Sequence, residues 1–400
     1  MSDMDVINKL KYLSSQMTFE ADAERSINLS AAKPCLREDD LHIHPAVLPN
    51  GRKTRLLKTL LSSACERNCY YCPFRAGRDF RRATFKPEDF AKLFMQLHKA
   101  DLVDGLFISS GVAGGGIRTQ EQLLDTTEIL RNKMGFRGYI HLKIMPGAEK
   151  GQILRGMQLA DRVSVNLEAP NSKRLAQLAP KKVFMEELLR PLRWVEEIRR
   201  TENPPIQPWR FDYRKEKSSS AQRGHWPSST TQFVAGGADE SDLELLSTTA
   251  RLYSDLHLAR TYFMAFNPIP DTPMENNPPT PALRELRLYQ ASFLLRDYGF
   301  DLEELPFVGE GNLPLPTDPK EAWAELNLTH NPLEINQASP RELIRVPGIG
   351  PKTAKRIVSA RRIRQIRDLS QLRKLGIVEQ RAAPFILLGG KRMATQASLF

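Results

Sequence analysis

The most informative stretch of the chain is residues 65–72, which read Cys65-Glu66-Arg67-Asn68-Cys69-Tyr70-Tyr71-Cys72. Three of the four cysteines in the 400 residues fall inside these eight positions, with the spacing Cys-x3-Cys-x2-Cys. Iron–sulfur clusters are held by cysteine thiolates, normally four of them. Three close thiolates can hold three corners of a four-iron cube and leave the fourth iron open to a substrate or cofactor. The spacing therefore predicts an iron–sulfur site with Cys65, Cys69 and Cys72 as ligands.

Two other interpretations of these cysteines remain open. The three thiols could join Cys35, His42 or His44 in a structural zinc site, or they could be unrelated buried thiols. A Cys-x3-Cys pair is less usual for zinc, and the fourth ligand would be remote in the sequence. Cys35 itself is expected to be a plain buried thiol.

Apolar runs and amphipathic segments alternate around the cysteines. Runs typical of buried strands lie at 56–61, 105–109, 139–145, 162–167, 231–235 and 261–266. Each is followed by a segment with helical spacing of apolar residues. Six strands that alternate with six helices favour a parallel sheet with right-handed crossovers. The cysteine motif follows the first of these strands.

The cysteine motif, the aromatic Tyr71 before its last cysteine, and the six βα units together resemble the radical S-adenosylmethionine (SAM) family. The resemblance implies a partial (βα)6 TIM-like barrel, with the site at the carboxyl ends of the strands. It also implies a [4Fe-4S] cluster on the three cysteines and SAM bound to the open iron through its amino and carboxylate groups. Reductive cleavage of SAM would then yield a 5'-deoxyadenosyl radical, so the cofactor carries the chemistry.

The same resemblance implies where SAM contacts lie. In the family, a Gly-Gly-Glu run at the end of the second strand often holds the methionyl group, and residues 107–112 here have no glutamate. A glycine-containing motif on strand five meets the adenine. The expected SAM contacts are Tyr71, Ser109, Ser110, Gly111, Asn166, Glu168, Val234 and Gly236.

These contacts have alternatives and leave one role open. Residues 111–116 could be a glycine-rich connector. Asn166 and Glu168 alternate on their strand and so face one side, but they could belong to a satisfied polar network instead. His141, Lys143 and Tyr262 could also face the cavity. No hydrogen-atom donor is assigned among them.

The positive charge of the chain is concentrated at one end. There are 58 Lys and Arg residues against 47 Asp and Glu, a formal net charge of +11. Residues 335–400 hold 14 of the basic and 3 of the acidic side chains, so the whole excess lies there. A neutral body with a basic terminal module indicates a polyanionic partner for that module.

The basic module resembles the helix-hairpin-helix motif of non-specific DNA-binding proteins. Residues 339–342 have the form of a capping box with proline at the first helical position, and Pro347-Gly348-Ile349-Gly350 forms the hairpin. Glycines let backbone amides approach a phosphate, and the next helix adds its positive dipole end. The expected DNA contacts are Gly348, Ile349, Gly350, Lys352, Thr353, Lys355 and Arg356. A weaker second copy covers 369–377, with a helix near 379–387. The alternative is a helical protein-interaction domain.

The predicted organisation has five parts. They are an N-terminal extension (1–53), a radical SAM core (54–308), a linker (309–332), a helix-hairpin-helix domain (333–390) and a flexible tail (391–400). The tail ends in Gln396-Ala397-Ser398-Leu399-Phe400, which resembles the short peptide by which bacterial DNA-processing proteins dock on the sliding clamp. Gln396, Leu399 and Phe400 would make that contact; a plain tail is the alternative.

The combination of barrel and hairpins resembles the family of DNA modification/repair radical SAM proteins. It implies DNA, a uracil-DNA-glycosylase-like protein and an electron donor such as flavodoxin or ferredoxin as partners. Two other functions remain open: an RNA-modifying radical SAM enzyme, and a redox-sensing DNA-binding iron–sulfur protein without SAM turnover. No apolar run approaches the ~18 residues of a membrane span, and the acidic start 1–5 has no signal-peptide pattern. Clustered thiols fit a reducing compartment, so a cytoplasmic protein without a membrane span is expected.

Overall fold

The computed structural model describes residues 3–19, 41, 43–47, 53–204 and 226–392. The chain divides into two compact units, Met1–Glu240 with Leu252–Thr280, and Ser241–Arg251 with Pro281–Phe400. The predictions that concern Cys35, His42 and the tail residues Gln396, Leu399 and Phe400 lie outside the described residues.

A seven-stranded sheet forms the centre of the first unit. Its strands are β1 (Ile43–Val47), β2 (Lys53–Leu60), β3 (Gly105–Ser109), β4 (Tyr139–Lys143), β5 (Arg162–Ser164), β6 (Ser228–Ala235) and β7 (Arg260–Ala265). They pair in sequential order, with β2 to β7 parallel and β1 antiparallel to β2. Six parallel strands in this order confirm the predicted partial (βα)6 barrel.

Helices alternate with these strands along the chain. They are α1 (Asp3–Ser15), α2 (Pro87–Lys99), α3 (Gly116–Glu128), α4 (Lys150–Leu159), α5 (Ser172–Leu178), α6 (Arg190–Thr201), α7 (Asp242–Leu256) and α8 (Ala282–Asp297). π-Helical turns at Ile129–Lys133 and Phe184–Leu189 adjoin α3 and α6, respectively. The short helix α5 and the edge strand β1 were not predicted. Pro45 lies in β1, where an edge position tolerates the missing N–H.

The parallel strands β2 to β7 are mostly buried on both faces, as expected of a parallel sheet. Leu57, Ile108 and Phe263 are fully buried among the apolar residues of the core. On the other face, alternation directs polar side chains such as Lys58, His141 and Gln232 into cavities of the barrel. The inner face therefore carries the groups available for chemistry.

The second unit contains five more helices and a small sheet. The helices are α9 (Pro319–Leu328), α10 (Pro340–Leu343), α11 (Pro351–Ile363), α12 (Leu369–Lys374) and α13 (Glu379–Ala382). Strands β8 (Leu333–Glu334), β9 (Ile386–Leu388) and β10 (Lys391–Arg392) form a three-stranded sheet. The helix predicted near 379–387 is shorter in the structure. It ends at Ala382, a 3-10 turn follows at Ala383–Phe385, and the next residues form β9.

Helix α9 is part of the core of the second unit. Ala324 and Leu328 pack in one cluster with Ile335, Val346 and Ile357. The sequence predicts a linker with a short helix near 321–326 for residues 309–332; in the structure this helix extends over Pro319–Leu328. The predicted domain boundaries remain predictions.

In the described part of the chain, no helix has the length and apolarity that crossing a membrane requires.

Candidate functional site

A cavity of about 890 Å³ opens at the carboxyl ends of β2 to β6. We call it the upper cavity. Its lining includes side chains from the cysteine loop, the strand ends and the end of α1. Among them are Gln16, Met17, Leu60, Cys65, Arg67, Cys69, Tyr71, Cys72, Ser109, Ser110, Gly111, Lys143, Asn166, Glu168, Lys182 and Gln232. All three cysteines of the motif thus lie in the wall of one cavity, together with six of the eight predicted SAM contacts.

The cysteine loop runs beside the end of β3. The N–H of Gly111 donates to the carbonyl of Ser62 at 2.7 Å, and the N–H of Glu66 donates to the carbonyl of Val112 at 2.7 Å. A Cβ atom at Gly111 would lie 2.3 Å from the carbonyl oxygen of Ala64. Any other residue at position 111 would push the two segments apart, so glycine is required here by close packing.

Glu66, inside the cysteine motif, holds the glycine-rich segment after β3. Its carboxylate accepts hydrogen bonds from the N–H groups of Gly114 at 3.0 Å and Gly115 at 3.2 Å. Both glycines have positive φ values, 74° and 89°, which glycine adopts without strain. The segment at 114–116 therefore serves as a connector that ties α3 to the cysteine loop.

Arg82 holds the segment that follows the cysteines. Its guanidinium lies over the ring of Phe80, 4.3 Å from the centroid. It donates hydrogen bonds of 3.0–3.4 Å to four backbone carbonyl groups, those of Ser63, Phe74, Arg75 and Arg78. The guanidinium of Arg82 therefore links the backbone that precedes the cysteine motif to the backbone that follows it. Through these bonds Arg82 positions the three cysteines.

Replacing Arg82 by methionine is expected to loosen this loop. Hydrogen bonds that involve a charged group contribute about 1.5–3 kcal/mol each, so the free energy of unfolding should fall by at least about 2 kcal/mol. In the metal-free protein, iodoacetamide should alkylate Cys69 faster in the variant than in the parent. Arg81→Met removes the same charge from an exposed neighbour and is the control. Equal alkylation rates in the two variants would contradict the positioning role.

Burial governs the chemistry of the thiols. It raises the pKa of Cys69, and it raises the pKa of Cys72 well above the ordinary value; the charge of Lys182 acts in the opposite direction. Thiolate is the form that binds a metal, and a bound cation can hold such thiols deprotonated. Within the described residues, no three His, Cys, Asp or Glu side chains are grouped to hold a single metal ion. A four-iron cluster takes one thiolate per iron.

Glu168 follows β5 and is a buried carboxylate in the cavity wall, with 4% of its surface exposed. Its φ of +65° is costly for a residue other than glycine, by about 1–3 kcal/mol. One carboxylate oxygen accepts a hydrogen bond from Lys182 Nζ at 2.8 Å. The other, Oε2, has no hydrogen-bond partner in the part of the chain that the structure describes. A strained acceptor of this kind is suited to a hydroxyl or ammonium donor of a ligand.

Tyr71 and Lys182 complete this wall of the cavity. Burial raises the pKa of the Tyr71 phenol well above its ordinary range, and the charge of Glu168 adds to the effect. Burial lowers the pKa of Lys182, but the negative charges of a Cys69 thiolate and of Glu168 outweigh it, so the pKa of Lys182 is raised above its ordinary value. No pattern in the sequence distinguished Lys182 from its neighbour Lys181.

Two of the predicted SAM contacts do not line the cavity. Val234 is fully buried, and its N–H donates to the carbonyl of Glu168 at 2.8 Å. The N–H of Gly236 donates to the carboxylate of Glu240. In this arrangement the backbone of Val234 supports Glu168. Contact of Val234 and Gly236 with an adenine remains a prediction.

A lower cavity of about 380 Å³ adjoins the upper one. The two share Lys143, Asn166 and Gln232 in their walls. Lys143 Nζ donates a hydrogen bond to Asn166 Oδ1, and His141 Nε2 lies 2.8 Å from Ser164 Oγ. Thus His141, Lys143 and Tyr262, which the sequence suggests could face the cavity, all line the lower cavity.

Sequence reasoning missed several residues of the site. Gln16 and Met17, directly after α1, line the upper cavity, and Arg67 of the motif forms an ion pair with Glu187. These contacts join segments far apart in the chain. The sequence contains no local signal for them.

In the second unit, the hairpin predicted to bind DNA joins α10 to α11. The capping box is present, with Glu342 N–H donating to Ser339 Oγ at 3.2 Å. Gly348 has a φ of +79°, and a Cβ atom there would lie 2.5 Å from the carbonyl oxygen of Val378. Glycine is therefore required at 348, where the two hairpins meet.

The predicted DNA contacts differ in how they are placed. Lys352 and Lys355 are exposed on α11. Arg356 is also exposed, and it donates to the carbonyl of Leu375 in the second hairpin at 3.2 Å. The side chain of Ile349 is buried, and its N–H donates to the carbonyl of Val346 at 3.1 Å. Gly350 N–H donates to Thr353 Oγ1 at 2.7 Å, so these two groups close the first turn of the helix.

Lys320 on α9 supports the hairpin from the side. Its ammonium donates to the carbonyl of Ile349 and lies 4.8 Å from the ring centroid of Tyr298. Burial lowers the pKa of Lys320 to about 7; the charges of Arg381 and Arg345 also lower it, and Asp318 acts against them.

The stability of this unit should therefore depend on pH through Lys320. Between pH 7 and about 10.4 the unfolded chain binds a proton here that the folded chain does not, so stability rises with pH in this window. Lys320→Met should show a flatter rise than the parent between pH 7 and 9 in urea unfolding followed by tryptophan fluorescence. Lys374→Met, at an exposed position, should keep the parental slope. Parallel curves for the parent and Lys320→Met would refute the assignment.

Comparison with known proteins bears on the two units separately. A family model described as helix-hairpin-helix motif matches residues 329–385, which confirms the motif predicted in the second unit. No curated protein matches the sequence significantly.

Several solved structures are similar to the chain in part. The FeFe-hydrogenase maturase HydG from Carboxydothermus hydrogenoformans is 14% identical over 60% of this chain and 51% of its own, with a TM-score of 0.44. Methylornithine synthase (PylB) is 13% identical over 61% of this chain and 62% of its own, with a TM-score of 0.45. Coproporphyrinogen III oxidase (HemN) from Escherichia coli, a radical SAM enzyme, is 14% identical over 69% and 59%, with a TM-score of 0.37. The chain spans between half and two thirds of the length of these proteins.

Proposed function

We propose that this chain is a radical SAM enzyme that acts on DNA. The observation that carries the proposal is that Cys65, Cys69 and Cys72 line the same cavity as the Ser109–Gly111 turn and Glu168. This cavity lies at the carboxyl ends of parallel strands, where barrels of this kind carry their sites.

The residues of the upper cavity fit a [4Fe-4S] cluster and SAM. The wall of this cavity combines the three thiols, the Ser109–Gly111 turn and the buried carboxylate of Glu168. The three cysteines would hold three irons, and the unpartnered Oε2 of Glu168 would accept a hydrogen bond from a SAM hydroxyl or ammonium group. With an external electron donor, a [4Fe-4S] cluster and SAM held by these residues would supply radical chemistry suited to removing a hydrogen atom from a substrate.

The protein contributes position and exclusion of water. Glu66 and Arg82 hold the cysteine loop in place through the contacts described above. Part of the wall of the upper cavity is apolar and is formed by the buried side chains of Leu60, Val112 and Val165. Lys182 Nζ forms an ion pair with Glu168 Oε1 at 2.8 Å and so fixes the orientation of this carboxylate.

The second unit supports a nucleic-acid substrate. Lys352 and Lys355 are exposed at the N-terminal part of α11, where the helix dipole favours phosphate. Such contacts grip backbone and carry little sequence information, so binding should be strongly salt-dependent. A base inside a duplex is beyond the reach of a barrel, which implies a flipped base or a single strand.

Anaerobic turnover tests the proposal. The reconstituted protein is incubated with SAM and dithionite in the presence of duplex DNA, single-stranded DNA or structured RNA, at two salt concentrations. We expect release of 5'-deoxyadenosine and a mass change in the DNA. Modification of RNA alone would favour the RNA-modifying alternative. An intact cluster that never releases 5'-deoxyadenosine, even with DNA present, would favour the redox sensor.

The further partners are proposals of the same kind. A uracil-DNA-glycosylase-like protein, an electron donor such as flavodoxin or ferredoxin, and a sliding clamp contacted by Gln396, Leu399 and Phe400 can each be tested by co-purification. A cytoplasmic location remains a prediction.

A further inference from the structure

The segment that follows the cysteine motif is strongly basic. Residues 74–82 contain four arginines, at positions 75, 78, 81 and 82, against the single acidic residue Asp79. The chain outside residues 335–400 has no net charge, so this excess is local to the segment. We call residues 74–82 the basic rim, because the segment begins in the wall of the upper cavity, where Phe74 is a lining residue.

The arginines of the basic rim are held by neutral groups. Arg78 donates hydrogen bonds of 3.1 Å to the carbonyl groups of Pro73 and Pro270. Arg82 donates to backbone carbonyl groups, as described above, and the buried Nε of Arg75 has no hydrogen-bond partner within the residues described. Carbonyl groups fix the position of a guanidinium without neutralising it. The rim therefore presents positive charge that a phosphate can pair with.

Aromatic rings alternate with these cations. The rings of Phe80 and Phe74 have centroids 6.1 Å apart, and the guanidinium of Arg78 lies 5.5 Å from the centroid of Phe80. Arg75 lies over the ring of Tyr70 at 5.7 Å. All three rings are half-buried and so retain some exposed surface. Cations that alternate with exposed rings suit a single nucleic-acid strand, whose phosphates pair with the cations and whose bases stack on the rings.

The position of the basic rim favours a strand that delivers a nucleotide to the upper cavity. Phe74 lines the cavity at one end of the rim, and Arg81 is exposed near the other end. A nucleotide that leaves its stack to enter an enzyme pocket remains joined to neighbouring phosphates outside the pocket. An acidic peptide would also pair with the arginines, but it has no bases to stack on the rings.

We propose that the basic rim binds a single nucleic-acid strand beside the nucleotide that enters the upper cavity. Arg78 and Arg81 pair with phosphates of the strand, and Phe80 stacks on a neighbouring base. The first unit then carries a strand-binding surface of its own, in addition to the hairpin of the second unit. The choice of occupant rests on the proposed function, whereas the affinity of the rim is measured without turnover.

Fluorescence anisotropy tests the surface in the full chain, with its cluster reconstituted and without SAM. Every protein carries Lys352→Glu/Lys355→Glu, which removes phosphate binding by the hairpin. The labelled probes are single-stranded DNA, single-stranded RNA of the same sequence, duplex DNA and polyglutamate. We expect a single strand to bind more tightly than the duplex or the peptide, and the stronger of the two strands identifies which nucleic acid the rim takes.

Variants in this background locate the binding. Arg78→Gln/Arg81→Gln should weaken strand binding at least about 10-fold. It should also lower the slope of log K against log salt concentration by about 1.4, because each contact with a single strand contributes about 0.7. Phe80→Leu, which keeps an apolar side chain, should weaken binding at least about 5-fold. Arg81→Gln alone, at an exposed position, should show half the change in slope and keeps the test decisive if the double variant is unstable.

A matched control separates the rim from net charge. Lys92→Gln/Lys99→Gln removes the same charge from exposed positions on α2 and should leave affinity and slope unchanged. Equal losses in the two double variants, equal affinity for polyglutamate, or an unchanged slope in Arg81→Gln would overturn the proposal. Strand binding by the rim without release of 5'-deoxyadenosine would contradict the proposed function alone. Turnover of DNA by a protein whose rim variants bind normally would contradict the rim alone.

Discussion

Replacing Cys69 by serine is expected to abolish the visible absorption of the iron–sulfur cluster and, with it, cleavage of SAM. Cys69 is the most buried of the three thiols, and a hydroxyl does not replace a thiolate as a ligand for iron. Removing a group that only hydrogen-bonds to a metal ligand costs about 10- to 100-fold in affinity, so loss of the ligand itself should cost more. Absorption spectra and iron content of anaerobically reconstituted protein measure the effect.

Cys35→Ser is the matched control for this experiment. It removes the one thiol outside the motif and should leave the absorption and iron content unchanged. The reverse result, with absorption lost in Cys35→Ser and kept in Cys69→Ser, would refute the ligand assignment. Zinc in place of iron in the anaerobically purified protein would refute the cluster.

Reversing the charge of Lys352 and Lys355 together is expected to produce the largest loss of DNA affinity. Both side chains are exposed near the start of α11. A hydrogen bond to a charged group contributes about 1.5–3 kcal/mol, so the double variant should bind duplex DNA at least about 100-fold more weakly. Each lost phosphate contact also lowers the salt dependence, by about one unit in the slope of log K against log salt concentration. Fluorescence anisotropy at several salt concentrations measures both.

A control at the C-terminal end of α11, where Arg364 directly follows the last helical residue, separates local contact from net charge. Arg362→Glu/Arg364→Glu makes the same change in charge at exposed positions roughly 14 Å further along the helix axis. It should reduce affinity much less. Equal losses in the two double variants would indicate a diffuse electrostatic effect without a specific hairpin contact.

Point variants serve better here than removal of residues 335–400. Ala324 and Leu328, which precede that boundary, pack in the same core as Leu343, Val346 and Ile357. Truncation would expose this core, and the loss of binding could then result from unfolding.

Some parts of the candidate site were predictable from the sequence, and others were not. Cys65, Cys69 and Cys72 were predictable as a group because they lie within eight consecutive residues. The Ser109–Gly111 turn was predictable because it ends a strand that neighbours the cysteine loop in a parallel sheet. Glu168 was expected to face inward by strand alternation. In the structure β5 ends at Ser164, and a positive φ directs Glu168 instead.

The parallel strands, the cysteine loop at their carboxyl ends and the basic hairpin are predictable, because each is a local pattern of spacing or composition in the chain. The pairs of side chains that meet in the site depend on how the chain folds. Lys182 reaches Glu168, Glu66 reaches Gly114 across 48 residues, and Lys58 shares a row with His141. The physical reason is that these partners are brought together by strand register and loop closure, and neither leaves a periodic signal along the chain.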